Sequence, residues 1–346
     1  MKVVRIDQKN WEEGLKLLHN DYRLFGPIKT GQTSQFKQLE AGELPDLSIQ
    51  NTHLSAKSVV YPQSQDMFTY TLDENAEAHH VMKPVETDLS QQIVFAIRPC
   101  DAAAFQIARK NFDSPEYRDP YWCDSFEKTI KVGLACQHPS RSCFCTSTGI
   151  GPFSEEGLDL LMAEENKDFM LKAITDKGEA LLEKARWTSA GDEAVFERLG
   201  SEAEKRISSS IETDQIEKMP AKDLFEAPFW EDVAFACINC GTCTFSCPTC
   251  WCFDIQDENQ LQSGKRMRNW DSCMFPLFTL EGSGHNPRSA KYQRVRQRFM
   301  HKLKYYSDKY ESGIQCVGCG RCIKLCPVNI DIRHVSKLMN DYKAAN

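Results

Sequence analysis

The 346-residue sequence has no run of the ~18 consecutive apolar residues that a helix needs to cross a bilayer, so no membrane association is expected. It has no glycine-rich nucleotide fingerprint either. No G-x-G-x-x-G follows a strand-like segment, and Gly149-Ile150-Gly151, the nearest string, lacks the third glycine; no G-x-x-x-x-G-K-S/T occurs. The chain therefore shows no nicotinamide or nucleotide site of its own. The paired R-x-C-x2-C and D-P-C-x2-C motifs of a nickel–iron centre are also missing. Positive charge is not in excess: the formal net charge is −7, which argues against nucleic acid, whose phosphates require a basic face. Asp7, Glu12 and Glu13 fall where a signal peptide needs an apolar stretch, so a cytoplasmic location is expected.

Cysteine is abundant, with sixteen residues. A reducing cytosol keeps thiols free, so cysteines in this number read as metal ligands. Residues 237–248 are CINCGTCTFSCP and residues 316–327 are CVGCGRCIKLCP. Both fit C-x2-C-x2-C-x3-C-P, the ligand run of two-cluster bacterial ferredoxins, in which the fourth cysteine serves the other cluster. That crossing assigns one 4Fe–4S cluster to Cys237, Cys240, Cys243 and Cys326. It assigns a second to Cys316, Cys319, Cys322 and Cys247. Paired zinc sites are the rival, but two complete four-cysteine runs each ending in Cys-Pro are not a zinc pattern. Arg321 and Lys324, beside the second run, are expected to raise the cluster potential by stabilising the more negative reduced state.

The expected fold class is α+β. Residues 1–215 read as a mixed α/β domain and 216–346 as a helical ferredoxin-type domain, with the boundary in a charged segment around Pro220. Asn10–Tyr22 has helical spacing, and Gly178–Trp187 and Glu193–Ser208 read as polar helices. IVFAI (93–97) and TIKVGLA (129–135) read as buried strands, each leading to a cysteine, Cys100 and Cys136; Phe169–Ile174 reads as a third strand. With Cys143 and Cys145, these cysteines could converge at one end of a sheet. Four thiolates suffice for a third 4Fe–4S cluster, while C-x-C is an uncommon ligand spacing and buried structural thiols are the alternative. Cys250, Cys252 and Cys273 read as packing around the first cluster, Cys123 as structural, and His79-His80 as a solvated pair. Tyr292–Tyr310 reads as a helix whose basic residues, Arg294, Arg296, Arg298, Lys302 and Lys304, form either a solvated face or a docking surface for an acidic partner.

Several segments together resemble the iron–sulfur β subunits of cytoplasmic sulfhydrogenases and the A subunit of anaerobic sulfite reductase. They are IRPCDAAAF (97–105), CFCTSTGIGP (143–152), CGTCTFSCPTCWCFD (240–254), WDSCM (270–274), GHNPR (284–288), QRFMHK (297–302) and CVGCGRCIKLCPVNID (316–331). The resemblance implies an electron-transfer subunit with no catalytic residues of its own. Such a subunit accepts electrons from an NAD(P)H-oxidising flavoprotein subunit and relays them to a catalytic reductase or hydrogenase subunit in anaerobic metabolism. It also keeps Cys100, Cys136, Cys143 and Cys145 as candidates for a third centre, because Cys100, Cys143 and Cys145 lie in the shared segments. A relay to a heterodisulfide-reductase-type complex, direct reduction of a sulfur compound at the N-terminal cysteines, and a redox-sensing scaffold are the alternatives.

Overall fold

The computed structural model describes residues 2–86, 88 and 90–343. Its strands are β1 (Val3–Ile6), β2 (Arg23–Thr30), β3 (Thr33–Gln38), β4 (Ser64–Thr71), β5 (Lys83–Pro84), β6 (Gln92–Ile97), β7 (Thr129–Leu134), β8 (Leu160–Glu165), β9 (Asp168–Ala173), β10 (Phe253–Gln260) and β11 (Ser263–Trp270). Seven of them form a sheet in the order β1-β9-β8-β7-β6-β2-β3. Its centre, β2-β6-β7-β8, is parallel, and its margins are antiparallel. Every residue of β6 and β7 is buried, as expected of parallel strands covered on both faces. One face packs Trp11, Leu15 and Leu18 of the helix Gln8–Leu18 with Leu181 and Leu182 of Asp176–Lys184. The other packs Phe105 and Phe112 of Pro99–Phe112 with Trp122 and Phe126 of Pro120–Glu127. The helices and strands expected in this half are present, with ends shifted by a few residues.

Around the second half, short helices (Asp214–Lys218, Ala221–Glu226, Phe229–Ala234) pack with Lys291–Met300 and Ile332–Asp341 over a core of Trp230, Phe299, Leu303 and Val335. The long helix expected at 292–310 is interrupted by a π-helical turn, His301–Tyr305, before resuming at Tyr306–Tyr310. The second half is not wholly helical. β10 and β11 form a hairpin that pairs with β4, giving a four-stranded sheet β10-β11-β4-β5 drawn from both halves of the chain. No helix among the described residues is long and apolar enough to cross a membrane.

Candidate metal centres

The two cysteine runs fold alike. Gly241 (φ +75°) leads into one helical turn, Thr242–Phe245, and Gly320 (φ +72°) leads into Arg321–Lys324. A left-handed residue followed by a helical turn reverses the chain, so successive cysteines face a common centre. Amides also point at sulfur: Asn239 N–H donates to Cys237 Sγ at 3.4 Å, and Ile330 N–H to Cys326 Sγ at 3.3 Å.

Twelve cysteines gather in three groups. Cys237, Cys240, Cys243 and Cys326 line a cavity of about 470 Å³ counting its mouth, which Cys322 also borders. The Cys247 thiol lies close enough to those of Cys316, Cys319 and Cys322 to disfavour their ionisation. Cys100, Cys136, Cys143 and Cys145 line a second cavity, about 410 Å³ by the same measure, which Cys319 completes. Among the described residues no three His, Cys, Asp or Glu side chains gather as one metal ion requires. The thiols instead stand around voids, an arrangement that suits a polynuclear group rather than a zinc ion with sulfurs at ~2.3 Å.

The N-terminal group is built by the sheet. β6 and β7 are parallel neighbours, so both end at the same edge. Cys100 lies in the first turn of the helix after β6, and Cys136 just after β7. At Ala96 (φ +56°) β6 carries a bulge: Phe95 and Ala96 both face the Trp11 side, while Ile97 faces the other. Bulges re-aim the residues that follow them, here Arg98-Pro99-Cys100. The loop with Cys143 and Cys145 seals the cavity by meeting the second cysteine run backbone to backbone. Phe144 N–H donates to Gly318 O at 2.9 Å, and a Cβ at Gly318 (φ +61°) would lie 2.5 Å from Cys145 N. Asn51 Nδ2 also donates to Cys319 O at 3.0 Å.

Burial governs the thiols. It pushes Cys145 and Cys316 up to about 12, Cys243 up to about 11 and Cys100 well above the ordinary range. Loading a metal must therefore displace protons. Cys247 and Cys252 shift the other way: Cys247 is held well below the ordinary range by a hydrogen bond from Cys250 and by Lys302, and Cys252 is lowered to about 7 by a hydrogen bond from Cys273.

Apart from the half-buried Arg296, the basic residues expected on the helix at 292–310 do not form a solvated face or a docking surface. Arg294, Arg298, Lys302 and Lys304 are buried, and Arg298 and Lys302 face cysteines. The extra residue of the π turn frees the Lys302 carbonyl, which accepts from Gln315 N–H at 2.8 Å and so anchors the chain just before Cys316. Arg321 differs from its expected role as a free charge. It forms a two-point ion pair with Asp101, Nη2 to Oδ2 at 2.7 Å, and donates to Thr52 O at 2.8 Å. Lys324 is exposed, where water screens it.

Lys57 escaped the sequence reading. It is buried, lies 4.0 Å from the centroid of the Trp270 ring and donates to Cys250 O at 3.0 Å. No local pattern marks it, because its partners lie 193 residues away. Cys250 contacts Cys247, and Cys252 contacts Cys273, so this trio borders the second group as well as the first. Cys123 is buried, its Sγ donating to Phe112 O at 3.6 Å, and His79 and His80 are exposed.

Residues 236–330 match the 4Fe-4S dicluster domain model. Across 98% of its length the chain is 28% identical to sulfhydrogenase 2 subunit beta of Pyrococcus furiosus, of which it covers 98%. No solved structure matches the chain. Residues 236–330 are thus a 4Fe–4S dicluster domain, borne by a protein similar along nearly its whole length to a sulfhydrogenase β subunit.

Proposed function

We propose that the protein is the electron-relay subunit of an oxidoreductase complex, passing single electrons from an NAD(P)H-oxidising flavoprotein subunit to a catalytic reductase or hydrogenase subunit. Cys237, Cys240, Cys243 and Cys326 hold one 4Fe–4S cluster, and Cys247, Cys316, Cys319 and Cys322 hold the second. Cys100, Cys136, Cys143 and Cys145 hold a third. The observation that carries the reading is the sharing of walls. Cys322 borders the first cavity and Cys319 the N-terminal one, so the middle group touches both neighbours. Three centres in contact form a path from exposed Cys240 to the carboxyl edge of the seven-stranded sheet.

Iron and sulfide analysis of anaerobically purified protein, with EPR after dithionite reduction, tests this. About twelve irons are expected, four per cluster. Cys136→Ser should remove about four of them and leave the dicluster EPR signals in place. About eight irons in the unaltered protein would make the N-terminal cysteines structural thiols; zinc in place of iron would end the electron-carrier reading. Cys319→Ser should stop electron flow through the purified complex.

A second reading, reduction of a sulfur compound at the N-terminal group, draws on an open cavity of mixed polarity, about 910 Å³ counting its mouth. Arg98, Cys136, Gln137, His138 and Glu164 line it, beside the third group. Turnover of a small sulfur compound by the isolated chain, lost in Cys136→Ser, would favour it.

A further inference from the structure

Arg294, Arg298 and Lys302 recur every fourth residue along one helix face and are only 6, 4 and 2% exposed. Their hydrogen bonds go to carbonyls, a side-chain amide and a hydroxyl, and among the described residues to no carboxylate. Lys304, on another face of the same helix, does have one, Asp308 at 2.8 Å. A buried ion without a counter-charge is costly, so a fold that keeps Arg298 and Lys302 one helical turn apart must hold negative charge near them. Sulfur is the group in place to supply it. Arg298 bonds Cys243 O from Nη2 at 3.4 Å and lines the first cavity beside Cys322, so it faces one cysteine of each ferredoxin run. Its Nε is buried and has no partner among the described residues. Lys302 donates to Thr249 Oγ1 at 2.9 Å and faces Cys247, Cys250 and Cys316.

We propose that Arg298 and Lys302 set the reduction potentials of the relay. Arg298 acts on both dicluster centres, because it lies between them. Lys302 acts on the centre held by Cys247, Cys316, Cys319 and Cys322. The proposal rests on the ligand assignment above. A cluster bound by four thiolates is anionic and gains one more negative charge on reduction, so a fixed cation beside it favours the reduced state. Guanidinium cannot deprotonate in a protein, which makes Arg298 a permanent charge. These are positioning residues, acting through the cluster field and not by ligation.

The test is an EPR-monitored redox titration of the full-length, anaerobically purified protein, after iron analysis. Arg298→Gln, with iron retained, should disfavour reduction of both dicluster centres by about tenfold, which is about 59 mV for a one-electron couple. Arg298→Lys, which keeps the charge, should restore most of the shift. Lys302→Met should move one dicluster couple and leave the other, and Lys302→Arg should return it. Full iron with unmoved potentials in Arg298→Gln and Lys302→Met overturns the proposal. If iron is lost from Arg298→Gln but kept in Arg298→Lys, the Lys302 pair decides by the potential criterion. Should neither Arg298 variant load iron, the Lys302 pair decides by the same criterion, and should neither Lys302 variant load, the charge role is rejected in favour of packing. Absence of iron–sulfur clusters from the unaltered protein would instead overturn the ligand assignment, so the two failures are distinguishable.

Discussion

Asp101→Ala is expected to destabilise the folded protein by about 3–5 kcal/mol, the range for removing one partner of a buried ion pair. Asp101 is 0% and Arg321 2% exposed, so neither water nor another carboxylate can replace the lost charge. The pair also joins the halves of the chain. Asp101 lies in the first turn of the helix Pro99–Phe112, next to Cys100, and Arg321 lies between Cys319 and Cys322. Its loss should therefore loosen the seal between the second cysteine run and the N-terminal group. Denaturant unfolding of anaerobic protein, with iron release followed in parallel, measures both effects. The double variant Asp101→Leu/Arg321→Met should recover much of the stability, because a buried pair replaced by apolar groups of similar size leaves no orphaned charge. A loss under about 1 kcal/mol in Asp101→Ala, within the range of exposed pairs, would show that the pair is solvated and the seal weaker than described.

Gly318→Ala is the second large effect. The added methyl would lie 2.5 Å from Cys145 N and 2.6 Å from Cys145 Cα. Those are backbone atoms, which cannot rotate aside as a side chain would. The residue also holds φ +61°, a conformation that costs an L-residue about 1–2 kcal/mol by itself. The two strands of backbone must separate, breaking the Phe144 N–H to Gly318 O bond, and a total loss of about 3 kcal/mol or more is expected. Gly42→Ala is the matched control. It has φ +88° with nothing within 4 Å of the added atom, so it should show the conformational cost alone, about 1–2 kcal/mol. Iron analysis gives the functional counterpart: Gly318→Ala should lose the iron of the N-terminal group, whereas Gly42→Ala keeps it. Equal stability in the two variants would mean that the loops are not in contact in solution.

What the sequence made legible follows from the range of each interaction. The ferredoxin runs were readable because spacing, glycine and Cys-Pro act within twelve residues. IVFAI and TIKVGLA were readable because a parallel strand buried on both faces is apolar throughout. That Cys100 and Cys136 end neighbouring strands placed them at one edge, but the closing contact from Gly318 and Cys319 had no local sign. The basic helix misled for a physical reason. Positive charge at four-residue spacing ordinarily faces water, and here it is buried against the sulfurs of Cys243, Cys247 and Cys322, which carry negative charge once they ligate metal. β10 was missed because every residue of FDIQDENQ is exposed, so neither face carries the apolar alternation that marks a strand.

The seal over the N-terminal cysteine group has a consequence for how the protein is made. Cys143 and the carbonyl of Cys319 that it contacts are separated by 176 residues of chain. During synthesis the seven strands of the large sheet, all within the first 173 residues, emerge and can pair long before that closing wall exists. The four N-terminal thiols consequently wait in an open, unprotected basin while the rest of the chain is translated. Four of the first five cysteines to leave the ribosome are thus among the last to be enclosed, and an interrupted or truncated chain exposes them to oxidation.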